Sequence, residues 1–433
     1  MNIRPFEIAL IGLFVVAAIA GLAFLSLYQA KPSDDELLYG ARIEIWGVVD
    51  QSTMNDYLEM VSRENKALSV VSYTEVDIRK FEDTFVNAVA EGKSPDLLII
   101  PHTLLVQLRT KLVAISPQTI SPRTFRDSYV DGADVFMRND GVYAIPFAAD
   151  PLVMYWNRDI FASAGVAQAP KTWESLIAQT VPALTVKSAG GQLEQSAIAF
   201  GEYDNVRNAK AIMSALLLQT GNSIVEEYEE SYGVTLGNKS SDGLASGETS
   251  LSFYTQFSSP LKETYSWNRS MQMDRDEFVG GRLALYFGLG SEWQNIEAQN
   301  PNLNYDVTRI PQGAGATVLR TYADFYGFAI PKASQNARGA FALSSLLSSP
   351  SYAKVIADAL SLTPVHRQVY EEESNSPFAQ ILEQSVLIAR GWLDPNPIES
   401  GSVFHKMVSE VTSGNIRYQN IVSDAVVGLE NLF

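Results

Sequence analysis

The chain has 433 residues, with 32 Lys plus Arg against 49 Asp plus Glu, three His and no Cys, so its formal net charge is −17. So acidic a surface repels phosphate backbones and excludes nucleic-acid binding. The absence of Cys excludes disulfides, thiol nucleophiles, Cys-ligated metals and a lipid carried on Cys, while the length and a hydrophobic content of 46% predict about two or three globular domains.

Ile8 to Leu27 is an uncharged apolar run, roughly 30 Å long as a helix and so matched to a bilayer core. Arg4 precedes it and Asp34, Asp35 and Glu36 follow it, which favours the amino end inside and the rest outside. An uncleaved anchor over residues 1–28 is expected; a cleaved signal peptide is the alternative, although no small-x-small site follows the run. Residues 29–40, with Lys31-Pro32-Ser33, read as a tether.

From Arg42 the pattern is βαβαβ. Arg42–Trp46 is a short strand, Met54, Tyr57, Leu58 and Val61 fall at helical spacing, and Ser69–Val76 is a β-branched strand. Phe81, Phe85, Ala88 and Val89 mark a helix that Gly92 ends, and Leu97–Ile100 is an apolar run that predicts a strand buried on both faces of a parallel sheet. Ligands of such sheets sit beyond the carboxyl ends, here Trp46–Asp50 and Pro101–Thr103. Two further strands, Val142–Phe147 and Leu152–Trp156, flank Ala148-Ala149-Asp150-Pro151; Asn157 and Thr172 are placed to cap helices, with Gly165 ending the first. Glu226–Ser250 is polar and reads as surface loop, and Leu283–Phe287 and Tyr326–Ile330 are later strands.

The segments IEIWG (43–47), AVAEGKSPDLLII (88–100), GVYAIPFAADPLVMYWNRDIFASAG (141–165), PKTWESL (170–176), YSWN (265–268) and EFVGGRLALYFGLGSEW (277–293), followed by IPKAS, LTPVHR and VTSGN, occur in one order. In that order they resemble the family 1 extracellular solute-binding proteins of ABC importers, whose sugar-binding branch includes maltodextrin-binding proteins. The resemblance implies an α/β, two-lobe periplasmic-binding-protein-like fold of type II, closing at a hinge on a solute. It implies lobe one over residues 41–148 plus 312–350 and lobe two over 149–311 plus 351–433, with crossings at Ala149–Pro151, near Ile310-Pro311 and near Ser348–Ala353.

The same resemblance implies the site. Asp50 and Asp150 match carboxylates that accept hydroxyl hydrogen bonds in sugar-binding relatives, a role suited to an acceptor-only group; a helix N-cap and a turn residue are the structural alternatives. Trp46 and His102 match an aromatic and a histidine position, against core and loop alternatives. Gly288, Gly290, Glu292 and Trp293 follow a second-lobe strand and reach the cleft or form a tight turn, and Tyr155, Trp267, Tyr322, Asp324 and Phe325 are further candidates. Where maltodextrin-binding relatives carry stacking tryptophans, this chain has Ile100, Ser291 and His405. That favours a smaller sugar, another polar solute, or platforms supplied by Trp46, Tyr155, Trp267 and Trp293.

No P-loop, GxSxG, HExxH or GxGxxG motif accompanies these residues, so a non-enzymatic, cofactor-free and monomeric receptor is expected. It hands a sugar-like solute to an ABC permease, with the binding domain outside the cell and the membrane engaged through residues 8–27. A membrane-tethered sensor or scaffold subunit using the same closure, and a receptor for a cation such as a polyamine, are the alternatives.

Overall fold

In the computed structural model, residues 42–433 are described, apart from 230, 240–242, 244, 372, 373 and 375. The run Ile8–Leu27 and the tether lie outside the described residues, among which no helix is long and apolar enough to cross a membrane.

The main strands are β1 (Ile43–Gly47), β2 (Val71–Glu75), β3 (Leu97–Pro101), β4 (Ile145–Asn157), β5 (Leu193–Ile198), β6 (Leu283–Leu289), β7 (Tyr305–Arg309), β8 (Thr321–Ala329) and β9 (Thr363–Pro364). They follow the order β2-β1-β3-β8-β4-β6-β5, with β7 and β9 also on β4. β1 is parallel to β2 and β3, and β5 is parallel to β6, whereas β4 runs antiparallel to all its neighbours.

β4 therefore serves two sheets. Ile145–Pro151 pairs with β8, while Leu152–Trp156 pairs with β6 and Val153–Asn157 with β7. The handover falls at Pro151, which has no N–H to give either neighbour. The expected junction at Ala149–Pro151 thus lies within one unbroken strand of 13 residues.

β3 is buried throughout, and its alternation sends Leu97 and Ile99 to one hydrophobic cluster and Leu98 and Ile100 to another. The first cluster joins Ile43 and Ile45 to Met54, Tyr57 and Val61 of the helix Gln51–Glu64. It also takes Ala353, Ile356 and Ala357 of the helix Pro350–Ala359. That helix packs with the first sheet, so the chain leaves this half only after β9 joins β4 at Ala148 and Ala149, later than the residue 350 read from sequence. Gln312 pairs with Lys171 and Thr172 beside the second sheet, so the earlier crossing is made by β8 from Thr321.

Local signals behave as their chemistry requires. Asn157 Oδ1 accepts from the Asp159 and Ile160 amides, and Gly165 follows that helix at φ +69°. The segment read as loop over Glu226–Ser250 is ordered in part. Val225–Glu227 and Tyr232–Val234 form a hairpin and Ser246–Thr255 a helix, held by buried Val225, Leu236 and Ala245. These apolar anchors are too widely spaced among polar residues to show a period.

The hairpin reaches across to the first half. Glu227 accepts from Arg109 and, at 3.2 Å, from Arg138 Nη1, while Arg109 Nη1 donates to Tyr232 Oη at 2.8 Å.

Candidate functional site

Where the two sheets meet, carboxyl ends of their parallel strands converge on the middle of β4. β3 ends at Pro101-His102 and β6 at Leu289-Gly290. Between them Asp150 stands opposite Asp324 in the β4–β8 ladder, and residues so paired project to the same face.

Asp150 is 3% exposed, with Oδ1 taking the Ser291 amide at 2.9 Å and Oδ2 the Ser291 hydroxyl at 2.6 Å. Burial pushes its carboxyl up to about 7; the two Ser291 bonds oppose that, and Asp324 and Glu292 add to it. The tight turn after β6 makes this geometry possible, since a Cβ on Gly290 would lie 2.9 Å from Leu382 Cδ2 and 3.3 Å from Asp150 Oδ1. Asp324 accepts from Tyr322 Oη at 2.6 Å; burial raises its carboxyl, Tyr322 and Lys210 pull it back, and Asp394 raises it.

Lys210 and Asp394 complete the acidic group. Lys210 Nζ lies 2.5 Å from Asp394 Oδ2, 2.7 Å from Ser400 Oγ and 3.0 Å from the Pro397 carbonyl, with the Trp392 ring centre at 5.4 Å. Asp394 is fully buried, so the pair is one whose separation leaves an uncompensated charge.

His102 is fully buried beside it. Its Nδ1 accepts from the Phe325 amide at 3.2 Å, which fixes the proton on Nε2. Nε2 has no partner among the described residues, and burial, with Lys210 adding, lowers the imidazole to about 3. The ring rests on Gly391, where a Cβ would come within 2.6 Å of Nε2.

Asp150, Asp324, Gly290 and His102 are thus brought together, with Ser291, Lys210 and Asp394. Tyr155, fully buried, directs its hydroxyl at the Leu289 and Gly290 carbonyls, and Gly288 lies in β6 against the Tyr286 ring; both support the turn from beneath. Glu292 accepts from Tyr286 Oη, from Asn208 Nδ2 at 2.7 Å and from the Leu289 amide at 3.1 Å, with Arg275 at 3.7 Å, so protein donors already occupy it. Trp293 packs edge-on to Phe378, ring centres 6.0 Å apart.

Three expected site residues stand elsewhere. Asp50 is the N-cap of Gln51–Glu64, its Oδ1 accepting from the Thr53 amide, Thr53 Oγ1 and Ser52 Oγ, and these bonds hold its carboxyl down at about 2. Trp46 gives its indole N–H to Glu44 on the same strand at 2.7 Å. Trp267 is enclosed in the second half with its N–H on Asn205 Oδ1 at 3.0 Å, so a core role replaces the expected platform. Lys210 and Asp394 were not among the expected residues: LDPNP around Asp394 has the composition of a turn, and nothing near Lys210 marks it.

Among the described residues no group of His, Asp and Glu is arranged to hold a metal ion. Residues 63–380 match the family model described as bacterial extracellular solute-binding protein. Among solved structures, a cyclo/maltodextrin-binding protein complexed with maltotetraose is similar at TM-score 0.70 and 14% identity, over 93% of this chain and 98% of that one. The sugar-binding protein MalE from Xanthomonas citri is similar at TM-score 0.73 and 16% identity, over 90% and 96%. The GacH receptor of Streptomyces glaucescens, solved unliganded and with acarbose, is similar at TM-score 0.68 and 15% identity, over 90% and 97%. No curated protein matches the sequence. At these identities the likeness is one of fold.

Proposed function

The chain belongs to the bacterial extracellular solute-binding proteins, and from that membership we propose that it captures a polar solute, a sugar or short oligosaccharide, between two lobes and delivers it to an ABC importer. Proteins of this family and fold bind solutes and are not enzymes. The lobes on this reading are the half built on β1, β2, β3, β8 and β9 and the half built on β5, β6 and β7, with β4 as the shared hinge strand.

The observation that carries the reading is the Asp150–Asp324 pair at the junction. Carboxyl groups there are available to sugar hydroxyls in either protonation state, as acceptors when ionised and as a donor when protonated. His102, its Nδ1 already accepting from the Phe325 amide, leaves its free Nε2–H as one more directed donor. Asp150, Asp394 and His102 are almost wholly covered, so a solute reaches them when the halves separate. The sugars bound by the similar structures, maltotetraose and acarbose, support a carbohydrate. Lys210 already neutralises Asp394, and the upward shift of Asp150 weakens its negative charge, which favours a neutral solute over a polyamine. On the same reading Ile8–Leu27 holds the receptor to the membrane.

Isothermal titration against mono- and oligosaccharides, with polyamines as the contrasting class, tests this. Saturable heat with at least one sugar, lost in Asp324→Ala, is expected; silence across the whole sugar panel would sink the carbohydrate reading.

A further inference from the structure

A cavity of about 860 Å³ lies beside the junction, between residues 126–138 of the first half and residues 218–227 of the second, with Val318, Arg320 and the run Arg390–Leu393 completing its lining. That is the size of a small-molecule pocket. Its charged lining consists of four arginines, Arg126, Arg138, Arg320 and Arg390, against three acids, Asp131, Asp134 and Glu227. In a chain of net charge −17 this concentration of guanidinium is a local inversion of sign.

The three acids are already committed. Asp131 takes Arg367 at 2.5 Å through Oδ1 and Arg390 at 2.7 Å through Oδ2. Asp134 takes Arg126 at 3.0 Å, and Glu227 takes Arg109 and Arg138. Among the described residues Arg320 pairs with no carboxylate: its Nη1 donates to the carbonyl of its own neighbour Leu319 at 3.1 Å. The backbone then places it beside a second guanidinium. Thr321 pairs with Ala389 and Tyr322 with Arg390 in parallel register, which brings Arg320, the residue just before β8, to the run Arg390–Leu393 in the cavity lining. Burial, and after it the charge of Arg320, lowers the pKa of Arg390.

We propose that this cavity is a second binding site, taking an oxyanion group (carboxylate, sulfate or phosphate monoester) between the guanidiniums of Arg320 and Arg390. Planar forks of N–H donors match such groups bidentately, and the anion relieves the repulsion between the two cations. The site is chemically opposite to the carboxyl-lined junction and does not depend on which solute that junction takes. Because residues of both halves line it, an anion held there favours the arrangement in which the halves are together.

The test is titration of the protein without sugar, at constant ionic strength set with sodium chloride, with sodium sulfate, glucuronate and glucose, followed by calorimetry and thermal midpoint. Sulfate and glucuronate are expected to bind and raise the midpoint. Glucuronate alone would assign the oxyanion to an acidic sugar, and both would show a site for the free anion. Arg320→Gln should weaken either at least about tenfold. Val318→Asp, at a position 55% exposed on the rim, should weaken binding in the same direction without touching the core. No response beyond chloride, or an undiminished response in both variants, overturns the proposal.

Discussion

Asp150 of β4 and Asp324 of β8 face each other across an antiparallel ladder, two carboxyl groups on one face of a nearly fully buried strand. Two buried carboxyls so placed resist joint ionisation, and at Asp150 burial is the larger cause. The consequence is a site whose charge depends on pH near neutrality.

Asp150 titrates at about 7 in the folded chain against 3.8 in the unfolded one, so between those values the folded state holds the extra proton. Stability from this group is greatest near pH 4 and is lost as pH rises to 7, by up to about 1.4 kcal/mol per pH unit. His102, lowered to about 3, acts with the opposite sign. Urea unfolding of the parent and Asp150→Asn across pH 4.5 to 7.5 isolates the carboxyl: the variant should lack this downward component. Identical pH slopes for the two proteins would place the carboxyl's titration elsewhere.

Lys210→Met should cost about 3–5 kcal/mol, because it strands the fully buried Asp394. Adding Asp394→Leu should recover much of that loss. Denaturant midpoints of the single and double variants check the pair, and a double variant no better than the single would count against a charge origin.

Glu227→Gln removes the charge that holds Arg109 and Arg138 across the two halves. The expected outcome is a larger radius of gyration by small-angle scattering and weaker apparent solute affinity, since a smaller fraction occupies the closed arrangement. Unchanged scattering would show that the ion pairs do not hold the halves together.

Trp267→Ala should destabilise by about 3–5 kcal/mol through its cavity. Solute affinity measured well below the unfolding temperature should stay within about twofold, because the ring is enclosed and its N–H is on Asn205. A large affinity loss in a folded variant would return Trp267 to the binding surface.

Much of this architecture is written locally. The four apolar residues Leu97–Ile100 announce a strand covered on both sides, Asn157 and Gly165 bracket a helix, and Pro151 marks a change of partner. His102 follows the buried strand Leu97–Pro101 and Asp150 precedes the partner change at Pro151, so the position of each at the junction could be read from its neighbours in sequence. Asp50 has the same composition signal as a ligand carboxylate, but the Thr53 amide captures it. Lys210 and Asp394 are 184 residues apart, and neither carries a local pattern that requires the other. Arg320 and Arg390 meet only through the Thr321–Ala389 pairing, a register that no local periodicity specifies.

The shared strand also governs how the chain can fold. β4 gains its partners for one sheet from Thr321–Ala329 and for the other from Leu283–Leu289, so one sheet waits until about three-quarters of the chain is present and the other until about two-thirds. Contacts so distant in sequence make folding slow. Meanwhile the β1–β2–β3 layer waits with an open edge where β8 will sit. A chain emerging in order would therefore keep both sheets incomplete through most of its synthesis, a state compatible with threading across a membrane before they close.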